Sequence, residues 1–386
     1  MVQVRSAANT SVANRVGLVY RSGRTPQSAW SRIPDGLARG FRELGLSAFL
    51  IDAEPKRPVA RLAKGWASVV HGNRHGGLFA PEVRELRRVT ARRRAAGLGG
   101  FGSVVQMGSD FGIPFPQDFV TYEDTTVLQR VEVDEIDSVI GGTAVNRWVA
   151  AQRKCYEAAV GCCAMSSWAA DSIVNEYGVA REKVHVVWAG RNCEPRPVGR
   201  DWSQPRFLFL GLDWERKNGA LVVRAFSHVR ERFPNARLDV AGAHPGISVD
   251  GVVTHGPLDF SDSRGRSSAE RLFESATCFV MPSRFEPFGI VYAEAAAAGI
   301  ASIGTDVGGA RDAIGPAGGL LVTPGDERML VEAMLTMSNQ NRAAEMGAAA
   351  LERSRLFTWK SVAERVARPL GLGDEQLRGV PTAAGR

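Results

Sequence analysis

The sequence predicts an α/β protein built as two Rossmann-like domains, and three stretches carry that expectation. Near the start, Arg15-Val16-Gly17-Leu18-Val19-Tyr20 reads as a strand, a helix follows from about Pro34 to Leu44 with a stop at Gly45, and Ser47 to Ile51 reads as a second strand. That order opens a doubly wound parallel sheet. Midway, Asn192-Cys193-Glu194-Pro195-Arg196-Pro197-Val198-Gly199-Arg200-Asp201 holds two prolines, a glycine and four charges without periodicity, which marks a domain boundary near residue 200. Later, the apolar run Cys278 to Met281 reads as a buried strand and opens, through a loop, into an alanine-rich helix that stops at Gly299. With 386 residues and 44% hydrophobic side chains, the chain can fill two sizeable cores.

Residues 1–14 are small and polar and are expected to fray. The loop after the first strand carries Gly23, a residue suited to any tight turn. Further strands are expected at Ser103 to Met107 and Asp118 to Tyr122, the second leading into Glu123-Asp124-Thr125-Thr126, where Asp124 or Thr125 suits a helix N-cap. Residues 146–178 read as helical segments around the apolar patch Val160 to Met165, and Lys183 to Gly190 reads as another strand.

Charge is uneven along this half. Residues 1–100 hold 18 Lys and Arg against 6 Asp and Glu, while the remainder holds 30 against 35. The densest basic run, Arg84 to Arg94, follows Pro81 and sets Val83, Leu86 and Val89 at helical spacing, so an amphipathic surface helix is expected. A solvated face is the simplest use of such a helix. Attraction to anionic lipid heads or an acidic acceptor is the functional one, with nucleic acid the less expected partner.

The second half opens with a strand at Arg206 to Gly211, a loop from Leu212 to Gly219 and a helix from Ala220 to Phe233. Strands are expected at Arg237 to Ala241, Val252 to His255, Ala301 to Thr305 and Gly319 to Val322, with Gly308-Gly309 in the turn between the last two. Helices continue to about Arg355, a further helix is expected over Phe357 to Val366, and the last ~15 residues read as flexible.

Chemistry concentrates in Ser283 to Gly299. The loop holds Glu286, the helix holds Glu294, and Gly289 permits close approach to the backbone where the helix begins. A helix start favours an anion such as phosphate, whereas ionised carboxylates accept from sugar hydroxyls. A ligand with phosphates at its centre and hydroxyls at both ends satisfies both, and a nucleotide sugar is such a ligand. The histidines read as scattered and not as a metal-ligand set, and no Asp-x-Asp element is present. Five cysteines without Cys-x-x-Cys spacing, no secretory leader and no apolar run of spanning length point to a reduced cytoplasmic compartment, with peripheral attachment to the inner membrane face an option.

Glu286 and Glu294, seven residues apart within Arg-Phe-Glu-Pro-Phe-Gly-Ile and the following Glu-Ala, resemble the E-x7-E signature of the retaining family-4 glycosyltransferases, which have the two-domain GT-B fold. The resemblance implies an acceptor-binding domain over residues 1–199, a nucleotide-sugar domain over 200–356, and a closing helix near 357–370 that packs back on the first. It implies that Lys217 and Arg216 bind the donor diphosphate, that the amides of Phe288, Gly289 and Ile290 assist, that Glu286 positions the donor sugar and that Glu294 binds the ribose. Leu212 stands where the family has an arginine, so Arg216 is expected to supply that guanidinium, and Asn218 intervenes before the glycine. Gly23 would face the donor sugar, and Asp124 would orient the acceptor hydroxyl, although Glu123 stands where a histidine is common. The implied activity is metal-independent hexosyl transfer from a nucleotide diphosphate sugar, with UDP-sugar the expected donor, an unidentified hydroxyl acceptor and no cofactor. A nucleotide-sugar epimerase of the same fold is an alternative, as is a non-catalytic protein docking on anionic lipid or nucleic acid through its basic amino-terminal half.

Overall fold

The computed structural model describes residues 12–22, 32–70, 80–108, 111, 117–134, 141–259 and 262–372. Gly23, residues 1–11 and the final residues expected to be flexible lie outside the described residues. The chain forms two compact units, one of Met1–Val187 with Trp359–Arg386 and the other of Trp188–Thr358.

In the first unit the described strands are β1 (Arg15–Tyr20), β2 (Ser47–Asp52), β3 (Ser103–Met107), β4 (Phe119–Glu123), β5 (Gly161–Ala164) and β6 (Val184–Val186). They form one sheet in the order β2-β1-β3-β4-β5-β6, every neighbouring pair parallel. Strands β3, β4 and β5 are buried along their whole length, as parallel strands covered on both faces must be. The described helices are α1 (Ile33–Glu43), α2 (Arg57–Val70), α3 (Pro81–Ala96), α4 (Val127–Asp134), α5 (Gly142–Ala158), α6 (Ser167–Asn175) and, returning after the second unit, α13 (Trp359–Ala367). Helix α13 packs on α1 because two glycines leave room. A Cβ on Gly36 would meet the Trp359 ring at 2.1 Å, and one on Gly40 would meet the Trp359 carbonyl oxygen at 2.1 Å.

Three expectations need correction here. The strand foreseen over Lys183 to Gly190 is only Val184–Val186, because Arg181–Lys183 forms a 3-10 turn and Trp188 takes a left-handed backbone with φ 60°. Helix α4 is capped by Thr126, not by Asp124 or Thr125. The Thr126 Oγ1 accepts from the Gln129 amide at 3.2 Å and the Gln129 side chain accepts from the Thr126 amide at 3.1 Å, a reciprocal capping box. The buried stripe of α3 is Val83, Arg87, Ala91 and Ala95 instead of Val83, Leu86 and Val89, since Arg87 turns inward to Glu54 at 3.0 Å.

The second unit repeats the plan with β7 (Arg206–Gly211), β8 (Arg237–Gly242), β9 (Val252–Gly256), β10 (Cys278–Val280), β11 (Ala301–Thr305) and β12 (Gly319–Val322), ordered β12-β11-β10-β7-β8-β9 and all parallel. Its helices are α7 (Gly219–Arg232), α8 (Ser263–Ser275), α9 (Ile290–Ala297), α10 (Ala310–Ile314), α11 (Glu327–Met337) and α12 (Gln340–Ser354). Phe279 anchors the core, with Phe273 and Tyr292 at ring separations of 5.8 and 5.6 Å. The segment foreseen as the boundary belongs to this unit. Arg191 donates to the Ser354 carbonyl at 2.8 Å, and Arg200 donates to the carbonyls of Ala298 and Gly299 at 2.8 and 3.1 Å, so these two arginines tie the segment to the second unit and the units divide at Val187.

Candidate active site

The site forms where two loops of the second unit meet at the carboxyl ends of β7 and β10, the end at which parallel sheets take ligands. The β7 loop makes a turn in which Asp213 caps Arg216, its Oδ1 accepting from the Arg216 amide at 3.1 Å. Asn218, the residue that interrupts the family-like segment, sits in the left-handed region at φ 55° just before α7 and donates its side-chain amide to the Pro282 carbonyl at 2.7 Å. The Arg284 amide donates to the Arg216 carbonyl at 2.7 Å, which ties the loops together.

This pairing brings Arg216, Lys217 and Glu286 to one point. Glu286 Oε2 lies 3.3 Å from Arg216 Nη1 and 3.7 Å from Lys217 Nζ, and the Ser283 hydroxyl donates to it at 3.4 Å. Arg216 also donates to the Phe285 carbonyl at 2.9 Å and lies 5.4 Å from the Phe285 ring centroid. Lys217 reaches the site across Gly211, where a Cβ would stand 2.2 Å from Lys217 Cδ. Burial pushes the Lys217 ammonium below its ordinary value, Glu286 pulls it back up and Arg216 pushes it further down. Leu212 is exposed and takes no part.

Backbone geometry holds Glu286 from its other side. The Gly309 amide donates to the Glu286 carbonyl at 2.7 Å, and Gly308, at φ 92°, leaves no space for a side chain because its Cβ would lie 2.2 Å from that oxygen. The twin glycines thus buttress the loop. Gly289, at φ 83°, precedes α9 and lies against Glu286 and Tyr292, so Gly289 and Ile290 present the start of a helix beside the two cations. Phe288 is buried with its ring 5.8 Å from that of Phe357.

Glu294 is buried one turn into α9. Its Oε1 accepts from the amides of Asn192 and Cys193 at 3.1 and 3.3 Å. Burial raises its carboxyl to about 7, against these amides and the Cys193 thiol, which favour the charged form. The segment Asn192-Cys193 was not foreseen as part of the site, and nothing in its composition signals that its amides face a carboxylate.

Asp124 belongs to the first unit and is half-buried past the end of β4. It lies near Tyr122, whose hydroxyl is pushed well above its ordinary range by burial first and by Cys163 and Asp124 further, with Arg365 acting oppositely. Glu123 is buried near Cys155, Tyr156, Cys162 and Tyr177, raising each of them. All five cysteines are buried free thiols raised by burial, which suits packing and not nucleophilic attack. Among the described residues no group of three or more His, Cys, Asp or Glu is placed to hold a metal ion.

Residues 204–340 match the family described as Glycosyl transferases group 1, a span that contains Arg216, Lys217, Glu286 and Glu294. A sucrose-phosphate synthase from Thermosynechococcus elongatus superposes with a TM-score of 0.68 at 18% identity, covering 95% of this chain and 99% of that one. This chain has the GT-B fold, and its residues 204–340 carry a glycosyl transferases group 1 domain. Anabaena HepE in complex with UDP and glucose shares the GT-B fold at a TM-score of 0.62 and 14% identity, over 92% of this chain and 99% of its own. The alpha-maltose-1-phosphate synthase of Mycolicibacterium smegmatis is 30% identical over 260 residues, 58% of this chain and 66% of its own length. This GT-B chain spans between about half and two thirds of the length of such curated relatives.

Proposed function

We propose that this GT-B protein transfers a hexosyl group from a nucleotide diphosphate sugar, with UDP-sugar the expected donor, to a hydroxyl acceptor, retaining anomeric configuration and using no metal ion. The observation that carries the reading is the convergence of Arg216 and Lys217 on Glu286 beside the Gly289-led helix start. Arg216, which also lies 3.5 Å from the exposed Asp213 carboxylate, and Lys217 put two cationic heads at one point, and a diphosphate is a group that complements such a pair. Binding would hand both cations from Glu286 to the phosphates and release the Glu286 carboxylate to the hydroxyls of the donor sugar. Glu294 would take the ribose.

As the glycosidic bond breaks, negative charge grows on the leaving diphosphate. Lys217, Arg216 and the amides of Phe288, Gly289 and Ile290 would stabilise that charge, doing the work a divalent cation does elsewhere. The leaving phosphate would accept the proton of the attacking hydroxyl on the same face of the sugar, so no protein nucleophile is needed, and the two-carboxylate scheme of glycoside hydrolases does not apply to Glu286 and Glu294. Asp124 is assigned to the acceptor hydroxyl and Gly23 to the donor sugar. The five free thiols suit a reduced, cytoplasmic compartment.

The test is turnover of UDP-, GDP- and ADP-hexoses with a panel of sugar, sugar-phosphate and polyol acceptors in chelator-treated buffer, following product configuration by proton NMR. An α-linked product from an α-linked donor supports the reading. A β-linked product refutes retention, and an epimerised donor formed without acceptor refutes transfer.

A further inference from the structure

Of the eleven large apolar residues exposed among the described ones, four lie on the single helix α2: Val59, Leu62, Trp66 and Val69, at 47%, 76%, 57% and 82% exposure. Their spacing of three, four and three places them on one face. The inward face of the same helix is made of small residues, Ala60 and Ala67 buried and Ala63 partly so, with Ala63 and Ala67 clustered with Ala80, which precedes α3, and Val83 of α3. A helix that serves only its own core buries its large apolar residues and exposes small or polar ones. Helix α2 does the reverse, and a contiguous exposed stripe of this kind marks a contact surface where single scattered residues would not.

Charge decides what the surface meets. Helix α2 carries Arg57, Arg61 and Lys64 with no acidic residue, and α3 carries six arginines against Glu82 and Glu85. Part of this charge is paired, Lys64 and Arg87 with Glu54, Arg88 with Glu85 and Arg94 with Asp52. The pair of helices still keeps a positive excess, and Arg57, Arg61, Arg92 and Arg93 are exposed. A second copy of the same surface would repel it, whereas an anionic bilayer complements both its stripe and its charge.

We propose that α2 docks this protein on anionic lipid, lying in the plane of the interface with Leu62, Trp66 and Val69 among the upper acyl chains and the arginines of α2 and α3 among the head groups. A tryptophan at the centre of the stripe suits that depth. No described helix is long and apolar enough to cross a membrane. The inference concerns a surface of the first unit and does not rest on the transferase reading. It also moves the apolar part of a membrane contact from the arginine-rich α3 to α2.

The experiment is co-sedimentation of the full chain with vesicles of phosphatidylcholine mixed with phosphatidylglycerol and of phosphatidylcholine alone, at low and high salt. The wild type should bind the anionic vesicles and release at high salt. Leu62→Gln/Trp66→Gln should weaken binding by at least about tenfold, and Arg92→Gln/Arg93→Gln by roughly fivefold per arginine. Val69→Gln, at the most exposed position, repeats the test should the double variant lose its thermal transition. A wild type that ignores anionic vesicles overturns the proposal, as does equal binding by Leu62→Gln/Trp66→Gln and Val69→Gln. A self-association lost in those variants without any vesicle binding would assign the stripe to a second copy instead.

Discussion

Glu294 offers a prediction whose sign and size both come from its surroundings. Its carboxyl is buried, and its acid constant is displaced from 4.5 to about 7. The folded protein therefore holds this proton more tightly than the unfolded chain does, so the group favours folding most below about pH 4.5 and least above about pH 7. At about 1.4 kcal/mol per unit, the change across that window is on the order of 3 kcal/mol. Glu294→Gln keeps an oxygen to accept from the amides of Asn192 and Cys193 but cannot ionise. Urea unfolding of wild type and variant from about pH 5 to about pH 8 isolates this group, because other titrations, such as that of the partly buried His185, are common to both. The wild type should lose stability relative to the variant as pH rises, reaching a plateau above about pH 7.5. A difference that stays constant, or a wild type that gains on the variant with pH, refutes the reasoning. Nucleotide binding should also release a proton near neutral pH, since ribose hydroxyls favour the ionised carboxylate.

Three further outcomes follow from the site and its frame. Lys217→Ala should lower kcat by roughly 10²–10³ in a steady-state transfer assay, as removal of one preorganised electrostatic donor does. Gly211→Ala places a methyl 2.2 Å from Lys217 Cδ, so kcat should fall by up to about 10² through displacement of the ammonium. Its thermal transition should stay close to that of the wild type. Gly40→Ala meets the Trp359 carbonyl at 2.1 Å, a backbone atom that cannot swing aside, and the cost of about 1–3 kcal/mol in urea unfolding should outweigh the gain of up to about 1 kcal/mol from helix propensity.

Much of this was legible because it rests on local pattern. The Cys278–Gly299 stretch announces strand, loop and helix through an apolar run, a glycine and alanines, and those signals depend on no distant residue. Arg216 and Lys217 were legible as a basic pair in a strand-to-helix loop, although only the fold shows both reaching one carboxylate. What stayed hidden depends on tertiary contact. The reasons for Gly308, Gly36 and Gly40 are atoms far away in sequence, and a glycine looks the same whether it turns the chain or makes room. The stripe of α3 was misread because a buried arginine is rare, and Arg87 pairs with Glu54, which lies past the end of β2 and far from α3 in sequence. The boundary was misread because a proline-rich, charged segment looks like a linker even when its backbone amides are bonded to Glu294.

The central claim is that the second unit binds a nucleotide diphosphate sugar through Lys217 and Arg216 without metal. Thermal unfolding in the presence of UDP-, GDP- and ADP-sugars, in chelator-treated buffer, tests it most directly, because a ligand at about 100 times its Kd adds roughly 2.7 kcal/mol to the folded state. The account predicts a stabilising shift with one nucleotide series, abolished in Lys217→Ala and in Glu294→Ala. A wild type unmoved by every nucleotide sugar, or a shift that Lys217→Ala retains in full, would contradict it.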